Sequence, residues 1–245
     1  MVVAACAILT YLTFAALLVL CLPIQLALWL VTASFDRTRA APGRALRLGG
    51  ALVVRSCLLW QVRVEGTGHR PRGACVVVAN HESALDPVIL CLLPWEMKWL
   101  AKASIFDIPW LGWALRAAGD IAVVRGDHDS GGAAMLQARR YLDLGMPVLI
   151  FPEGTRSRDG SMLPFKLGAF KLAIEAGVPV LPIALHGTAD GMPLGSPWVR
   201  PARPVARVLE PEPVTGLGPG DAEGLRDRVR ERIGGAVAQS AAERL

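Results

Sequence analysis

Residues 1–35 carry no charged side chain. The first charge is Asp36, and Arg37, Arg39, Arg44 and Arg47 follow it closely. About 20 apolar residues suffice to cross a bilayer as a helix, so this run is long enough to do so. It is too long for a signal-peptide core, lacks a basic start and has no clear small-residue cleavage site. Pro23 divides it. A proline inside a helix removes a hydrogen bond and kinks the axis. The expectation is a hydrophobic membrane helix, kinked at Pro23 and ending near Ser34. Basic residues flanking a membrane segment stay on the cytoplasmic side, which places the rest of the chain on the cytoplasmic face of a membrane.

After Pro42-Gly43, the stretch "RALRLGGALVVRSCLLW" sets Arg44, Arg47 and Arg55 into an apolar pattern. The spacing allows all three on one side of a helix. An amphipathic helix lying in the membrane interface has this form, and so does a core-packed helix with a solvated Arg face. Composition favours membrane contact: hydrophobic residues are 53% of the chain and mean hydropathy is +0.41. The net charge of +5 suits an anionic surface or a phosphorylated ligand. It does not indicate nucleic acid, because no basic run is interleaved with aromatics. The five cysteines, Cys6, Cys21, Cys57, Cys75 and Cys91, have no metal or redox spacing and read as buried apolar residues in a reducing compartment.

From residue 61 onward, short apolar runs alternate with helical patterns. Strands are expected near 62–64, 74–79, 121–124, 148–151, 180–185 and 205–209, and helices near 87–93, 110–118, 129–144 and 166–176. Asp129 or Ser130 is placed to cap the third of these helices. Continuous apolar strands are those covered on both faces. The fold class is therefore α/β, with a mixed, largely parallel central sheet flanked by helices and preceded by the N-terminal hydrophobic segment. The expected divisions are 1–60 for the membrane-associated helices, 61–220 for the α/β domain and 221–245 for a C-terminal helix frayed around Gly234-Gly235.

Four stretches carry chemistry. In "VVVANHESALDPVIL", His81 follows a strand and Asp86 precedes Pro87. Five helical steps rotate by about 140°, so the two share no helix face. They also fall on opposite faces of a strand, and meet only across a turn. Read alone, Asp86 is a helix N-cap with Pro87 at the first helical position, and His81 is an ordinary imidazole. The working alternative is an acid-oriented general base. "FPEGTRSRDGSMLPFK" offers Glu153, Gly154, Thr155, Arg156, Ser157 and Arg158 directly after a strand, at the end where open α/β sheets bind ligands. A guanidinium is a bidentate partner for phosphate. "GDIAVVRGD" ends its strand at Arg125, and "VPVLPIALHGT" carries Pro182 within a strand, which points to an edge or bulge. Lys102 is a lone charge in "WLAKASIF". No Gly-x-Ser-x-Gly elbow surrounds Ser83 or Ser157, which disfavours a serine hydrolase. His69, His81, His128 and His186 lack metal-ligand spacing.

In this order, "NHESALD", "GDIAVVR", "FPEGTRS" and "VPVLPIAL" resemble the four blocks of the 1-acylglycerol-3-phosphate (lysophosphatidic acid) acyltransferase family of glycerolipid acyltransferases. The resemblance covers about residues 60–190, and "AKASIFDIPWLGWALRAAG" resembles the family's linking segment. It implies that His81 is the general base on the acceptor hydroxyl, oriented by Asp86. It implies phosphate contacts from Arg125, Glu153, Gly154, Thr155, Arg156 and Lys102, and a donor-site role for Pro182. The implied acyl donor is acyl-CoA or acyl carrier protein, with no cofactor and no metal. The implied acceptor is a lysophospholipid in the bilayer, lysophosphatidic acid first. Another lysolipid or glycerol 3-phosphate is the alternative, since Ala122, Val123 and Val124 stand where the family often has an aromatic and an acid. A non-catalytic membrane-binding module, with His81 and Asp86 structural, is the remaining reading.

Overall fold

The computed structural model describes residues 2–157, 161–196 and 198–243; Arg158 lies outside them. Helix α1 (Val2–Thr32) runs unbroken through Pro23, and α2 (Ala40–Ser56) folds back along it. The contacts run in opposite directions along the two helices. Gln25 Nε2 donates to Pro42 O at 3.0 Å, Cys21 lies against Gly49, and Thr10 Oγ1 meets Cys57 Sγ at 3.3 Å. The chain then alternates: β1 (Arg63–Glu65), β2 (Val76–Ala79), α3 (Leu85–Leu90), β3 (Lys98–Lys102), α4 (Ala103–Phe106), α5 (Leu111–Ala118), β4 (Ile121–Val123), α6 (His128–Asp143), β5 (Val148–Ile150), α7 (Gly168–Ala176), β6 (Val180–His186), α8 (Thr188–Gly191), β7 (Val205–Val208) and α9 (Ala222–Ala242).

The strands form one sheet in the order β1-β7-β6-β2-β5-β3-β4. Only β6 and β7 pair antiparallel. Both faces are covered, which is why β2 reads as an uninterrupted apolar run. Val77 and Ala79 enter the core on one face, and Val76 and Val78 the core on the other.

Four expectations change. β3 is an unanticipated interior strand between β5 and β4, disguised by a lysine at each end. Pro182 lies inside the sheet, between β7 and β2, with no edge and no bulge. Its carbonyl accepts from Leu209 N at 2.9 Å, just past the last residue of β7, so its missing N–H falls beyond the antiparallel ladder. Helix α9 passes through Gly234 and Gly235 without a break. Helix α6 is capped two or three residues earlier than expected, with Asp127 Oδ1 accepting from Ser130 N at 2.9 Å.

Arg47 does not share a solvated face with Arg55. Its side chain is 3% exposed and points inward, 2.5 Å from Asp120 Oδ1, with its guanidinium over the Trp99 ring. Beside it, the fully buried Lys98 donates to Glu96 Oε1 at 3.0 Å, to Arg39 O at 3.0 Å and to Ala118 O at 2.8 Å. Two cations and two carboxylates thus join α2 to the sheet and α5. Burial drives this arrangement, because a charge out of water needs a partner of opposite sign.

Candidate active site

The site begins where β2 ends. Buried Asn80 pairs with the β6 backbone through both ends of its amide, donating to Leu185 O and accepting from Leu185 N, each at 2.8 Å. This side chain extends the β2–β6 ladder by one residue and turns the chain out of the sheet at His81.

The loop after β5 then holds the His81 backbone at both polar atoms. His81 N donates to Glu153 Oε1 at 2.7 Å, and His81 O accepts from Ser157 N at 3.3 Å. The second Glu153 oxygen accepts from Leu163 N at 2.9 Å. Glu153 is buried and both its oxygens are committed to amides. The structure therefore gives it a positioning role in place of the phosphate contact expected from sequence. Burial outweighs these bonds and raises its carboxyl above the ordinary range.

Asp86 lies in the first turn of α3, two residues inside the N-cap position held by Ala84. One oxygen, Oδ2, accepts three hydrogen bonds: from Glu82 N at 2.7 Å, from Ser83 N at 2.8 Å, and from His81 Nδ1 at 2.7 Å. The same carboxylate thus holds the turn before the helix and the imidazole. A carboxylate acceptor requires the proton on Nδ1, which leaves Nε2 with its lone pair. The ring is 11% exposed and stacks on Phe151, with centroids 4.2 Å apart.

His81 lines a cleft of about 280 Å³ at the carboxyl ends of the parallel strands. Trp99, Leu100, Ile105, Val123, Met135 and Ile150 give it an apolar wall, while Lys102, Arg125, Gly154 and Lys166 supply its polar side. Gly154 has φ of +69°, and a Cβ there would come within 2.9 Å of Lys166 Nζ. Arg156 is half-buried behind this rim. Partial burial first, then the like charge of Arg156, lower the Arg125 guanidinium below its ordinary value. Among the described residues, no carboxylate pairs with Lys102, Arg125, Arg156 or Lys166. A group of cations without a counter-charge attracts anions from solution.

Of the residues named from sequence, His81, Lys102, Arg125 and Gly154 come together in the cleft. Asp86 and Glu153 stand behind them, and Thr155 is exposed next to Arg156. Pro182 is buried in the sheet and does not line the cleft. Sequence reasoning missed Asn80, Phe151, Lys166 and Glu82. The Glu82 carboxyl accepts from Thr188 Oγ1 at 3.3 Å, and burial first, then the Asp86 charge, push it up to about 8. Its place inside the His81–Asp86 turn was the available signal.

Ser83 is buried with its hydroxyl donating to Met192 O at 2.6 Å, so it does not serve as a nucleophile. Burial pushes the Cys75 and Cys91 thiols up to about 12, which removes their thiolates at neutral pH. Among the described residues, no three His, Cys, Asp or Glu side chains gather as a metal site. A larger open hollow of about 820 Å³ around Leu59, Arg63 and Glu243 contains no histidine in its lining.

The acyltransferase family profile matches residues 61–186, half of the chain. The chloroplastic 1-acyl-sn-glycerol-3-phosphate acyltransferase BAT2 of Brassica napus is 40% identical over 159 residues, covering 65% of this chain and 45% of that protein. The 1-acyl-sn-glycerol-3-phosphate acyltransferase alpha of Ovis aries is 38% identical over 176 residues, covering 71% and 61%. The chain thus spans between about half and three fifths of these two relatives. The crystal structure of the 1-acyl-sn-glycerophosphate (LPA) acyltransferase PlsC from Thermotoga maritima superposes with a TM-score of 0.75 at 27% identity, covering 96% of both chains.

Proposed function

This chain belongs to the acyltransferase family, and on that premise we propose that it moves a fatty acyl group from a thioester to the sn-2 hydroxyl of lysophosphatidic acid, giving phosphatidic acid. The observation that carries this reading is the His81–Asp86 pair opening onto an apolar cleft bordered by Lys102, Arg125 and Lys166, which have no carboxylate partner among the described residues. The relatives named above are called 1-acyl-sn-glycerol-3-phosphate acyltransferases, which supports the same acceptor here.

A hydroxyl is a poor nucleophile at neutral pH, so a base must take its proton as the bond forms. Nε2 of His81 is the nitrogen left for that task. The hydroxyl oxygen attacks the thioester carbonyl, a C–O bond forms and the C–S bond breaks. The proton passes from the hydroxyl to Nε2 and then to the departing thiolate. Asp86 holds the ring in the required tautomer and offsets the imidazolium charge. Arg125, Arg156, Lys102 and Lys166 hold the acceptor's phosphate, and the apolar wall takes hydrocarbon. Acyl-CoA or acyl carrier protein is the donor.

The protein acts at a bilayer, with its α/β domain on the cytoplasmic face. Helix α1 is about 46 Å long at 1.5 Å per residue. Its packing contacts run from Ala7 to Gln25, a span of about 27 Å, close to the ~30 Å hydrocarbon thickness. Crossing the bilayer would therefore carry exposed Arg55 and Ser56, at the Thr10 end of the hairpin, into hydrocarbon. Insertion of α1 along one leaflet avoids that cost.

The test is a panel of acceptors (lysophosphatidic acid, other lysolipids, glycerol 3-phosphate) incubated with labelled acyl-CoA and membranes containing the protein. The reading expects phosphatidic acid and free thiol in equal amounts. Thiol release at full rate without acceptor, or acylation of another acceptor only, overturns it.

A further inference from the structure

Between β3, which carries Lys102 at the cleft, and β4 lies a tip built from α4, the turn after it and the start of α5. It exposes Ile108, Trp110 and Trp113, at 48%, 42% and 51%. The two indoles touch, with centroids 5.5 Å apart. Trp110 has φ of 63° and ψ of −55°, a conformation that a bulky side chain rarely adopts. Such strain persists only where the surroundings over-determine it.

Here they do. Gly112 packs so closely on the Phe106 carbonyl that a Cβ would overlap it. Arg116 donates to the same carbonyl at 2.5 Å, Gly112 N donates to Ile108 O at 2.7 Å, and Ala114 N donates to Trp110 O at 2.9 Å. The tip is therefore a rigid, braced element that holds three large apolar side chains in solvent. In an isolated water-soluble domain that costs free energy and gains nothing.

Its neighbours identify the occupant. Helix α5 packs on α1, where Gln25 Nε2 donates to Ala114 O at 3.3 Å, next to Trp113. One turn further along α1 is Trp29, 41% exposed, just before the charge-free run ends at Asp36. Arg39 donates to Arg116 O at 2.6 Å and adds a second guanidinium beside Arg116. Indoles and guanidiniums gathered where a hydrophobic segment ends form the belt found at headgroup level.

We propose that the Ile108–Trp110–Trp113 tip is a second membrane contact, seated in the interfacial layer of the same leaflet that receives α1. It brings the cleft mouth, three residues upstream at Ile105, to headgroup depth. An acceptor lipid then passes from the leaflet to His81 without crossing water. This rests on α1 being membrane-inserted and is independent of which lysolipid is acylated.

The test compares the full-length wild type with Trp110→Gly/Trp113→Ser, since glycine accepts the positive φ and removes that strain. Both proteins are reconstituted in vesicles of phosphatidylcholine and phosphatidylglycerol carrying a nitroxide near the top of the acyl chain. The contact predicts that the quenched share of tryptophan fluorescence falls in the variant, because two shallow indoles are gone. An unchanged or higher quenched share overturns it. Absence of quenching in the wild type overturns the insertion of α1 as well.

A second readout separates access from structure. For lysophosphatidic acid embedded in vesicles, the variant's apparent KM rises roughly tenfold, while a short-chain, water-soluble acceptor is turned over as in the wild type. Equal losses on both acceptors assign the tip a structural role. Should the wild type acylate neither, the acceptor reading fails and the quenching result still decides the contact.

Discussion

Two groups of charges sit on this sheet, and they are built oppositely. Under the helical hairpin, Arg47 and Lys98 are buried and matched by Asp120 and Glu96. Lys102, Arg125 and Lys166 at the cleft, and Arg156 beside Arg125, are more open and have no carboxylate partner among the described residues. The balanced group fastens two parts of the fold. The unbalanced group is the one for which we propose an anion from outside. The His81–Asp86 pair shares the cleft of the second group, with its acid fully buried and its base facing the cleft. Pairing and burial mark structure; an unmatched charge at a cavity marks binding.

The comparison predicts that substitutions at the two groups fail in different ways. The largest effect belongs to the base. His81→Ala should lower kcat by about 10³-fold, within the range for losing a positioned general base, while the melting temperature hardly moves. Wild-type turnover by this variant would end the mechanism. Asp120→Ala, in the balanced group, should do the reverse. It removes the 2.5 Å partner of buried Arg47 and leaves only Glu96, 4.0 Å away and already bonded to Lys98, so chemical denaturation should report a loss of roughly 3–5 kcal/mol, with the folded fraction still active.

A smaller effect is expected at the unbalanced group. Arg156→Ala and Lys166→Ala should each raise KM for a phosphate-bearing acceptor about tenfold, or ~1.4 kcal/mol, with kcat changed less. The effect should shrink as salt screens the rim. A loss of melting temperature in place of a KM change would show that these cations are structural after all.

The smallest effect concerns Glu82. Its carboxyl is pushed from 4.5 up to about 8 by burial and by Asp86. A raised carboxyl pKa means that the folded chain favours the neutral form. That contribution to stability is fully present below about 4.5 and is lost as pH rises through about 8. Between pH 5 and 9 the melting temperature of wild type should therefore fall by a few degrees more than that of Glu82→Gln. Parallel curves for the two proteins would remove Glu82 from the pH response.

Much of this was legible in the linear chain. An apolar run without alternation announced strands covered on both faces, and β2 is buried on both. The spacing of His81 and Asp86 required a turn between them, and the turn is there, closed by the same carboxylate that holds the imidazole. Other features were hidden because their signals are not local. β3 carries a lysine at each end, and Lys98 is tolerable inside because Glu96 beside it is joined by carbonyls of Arg39 and Ala118 from distant parts of the chain. Glu153 followed a strand like a ligand contact, yet one oxygen meets the amide of Leu163 in its own loop and the other that of His81, 72 residues away.

The sequence alone determined the charge-free N-terminal helix, the alternation that yields a layered α/β domain, and the residue types for which we propose proton transfer and anion binding. All of these depend on periodicity, on turn chemistry or on side-chain type, which are properties of neighbouring residues. The tertiary structure decided which charges are matched and which are left open. It sent Arg47 inward and Lys166 to the cleft, withdrew Pro182 from the site, and set two exposed indoles, one on a strained backbone, beside α1. Pairing, burial and depth are distances between segments far apart in the chain, and only the folded sheet brings those segments together.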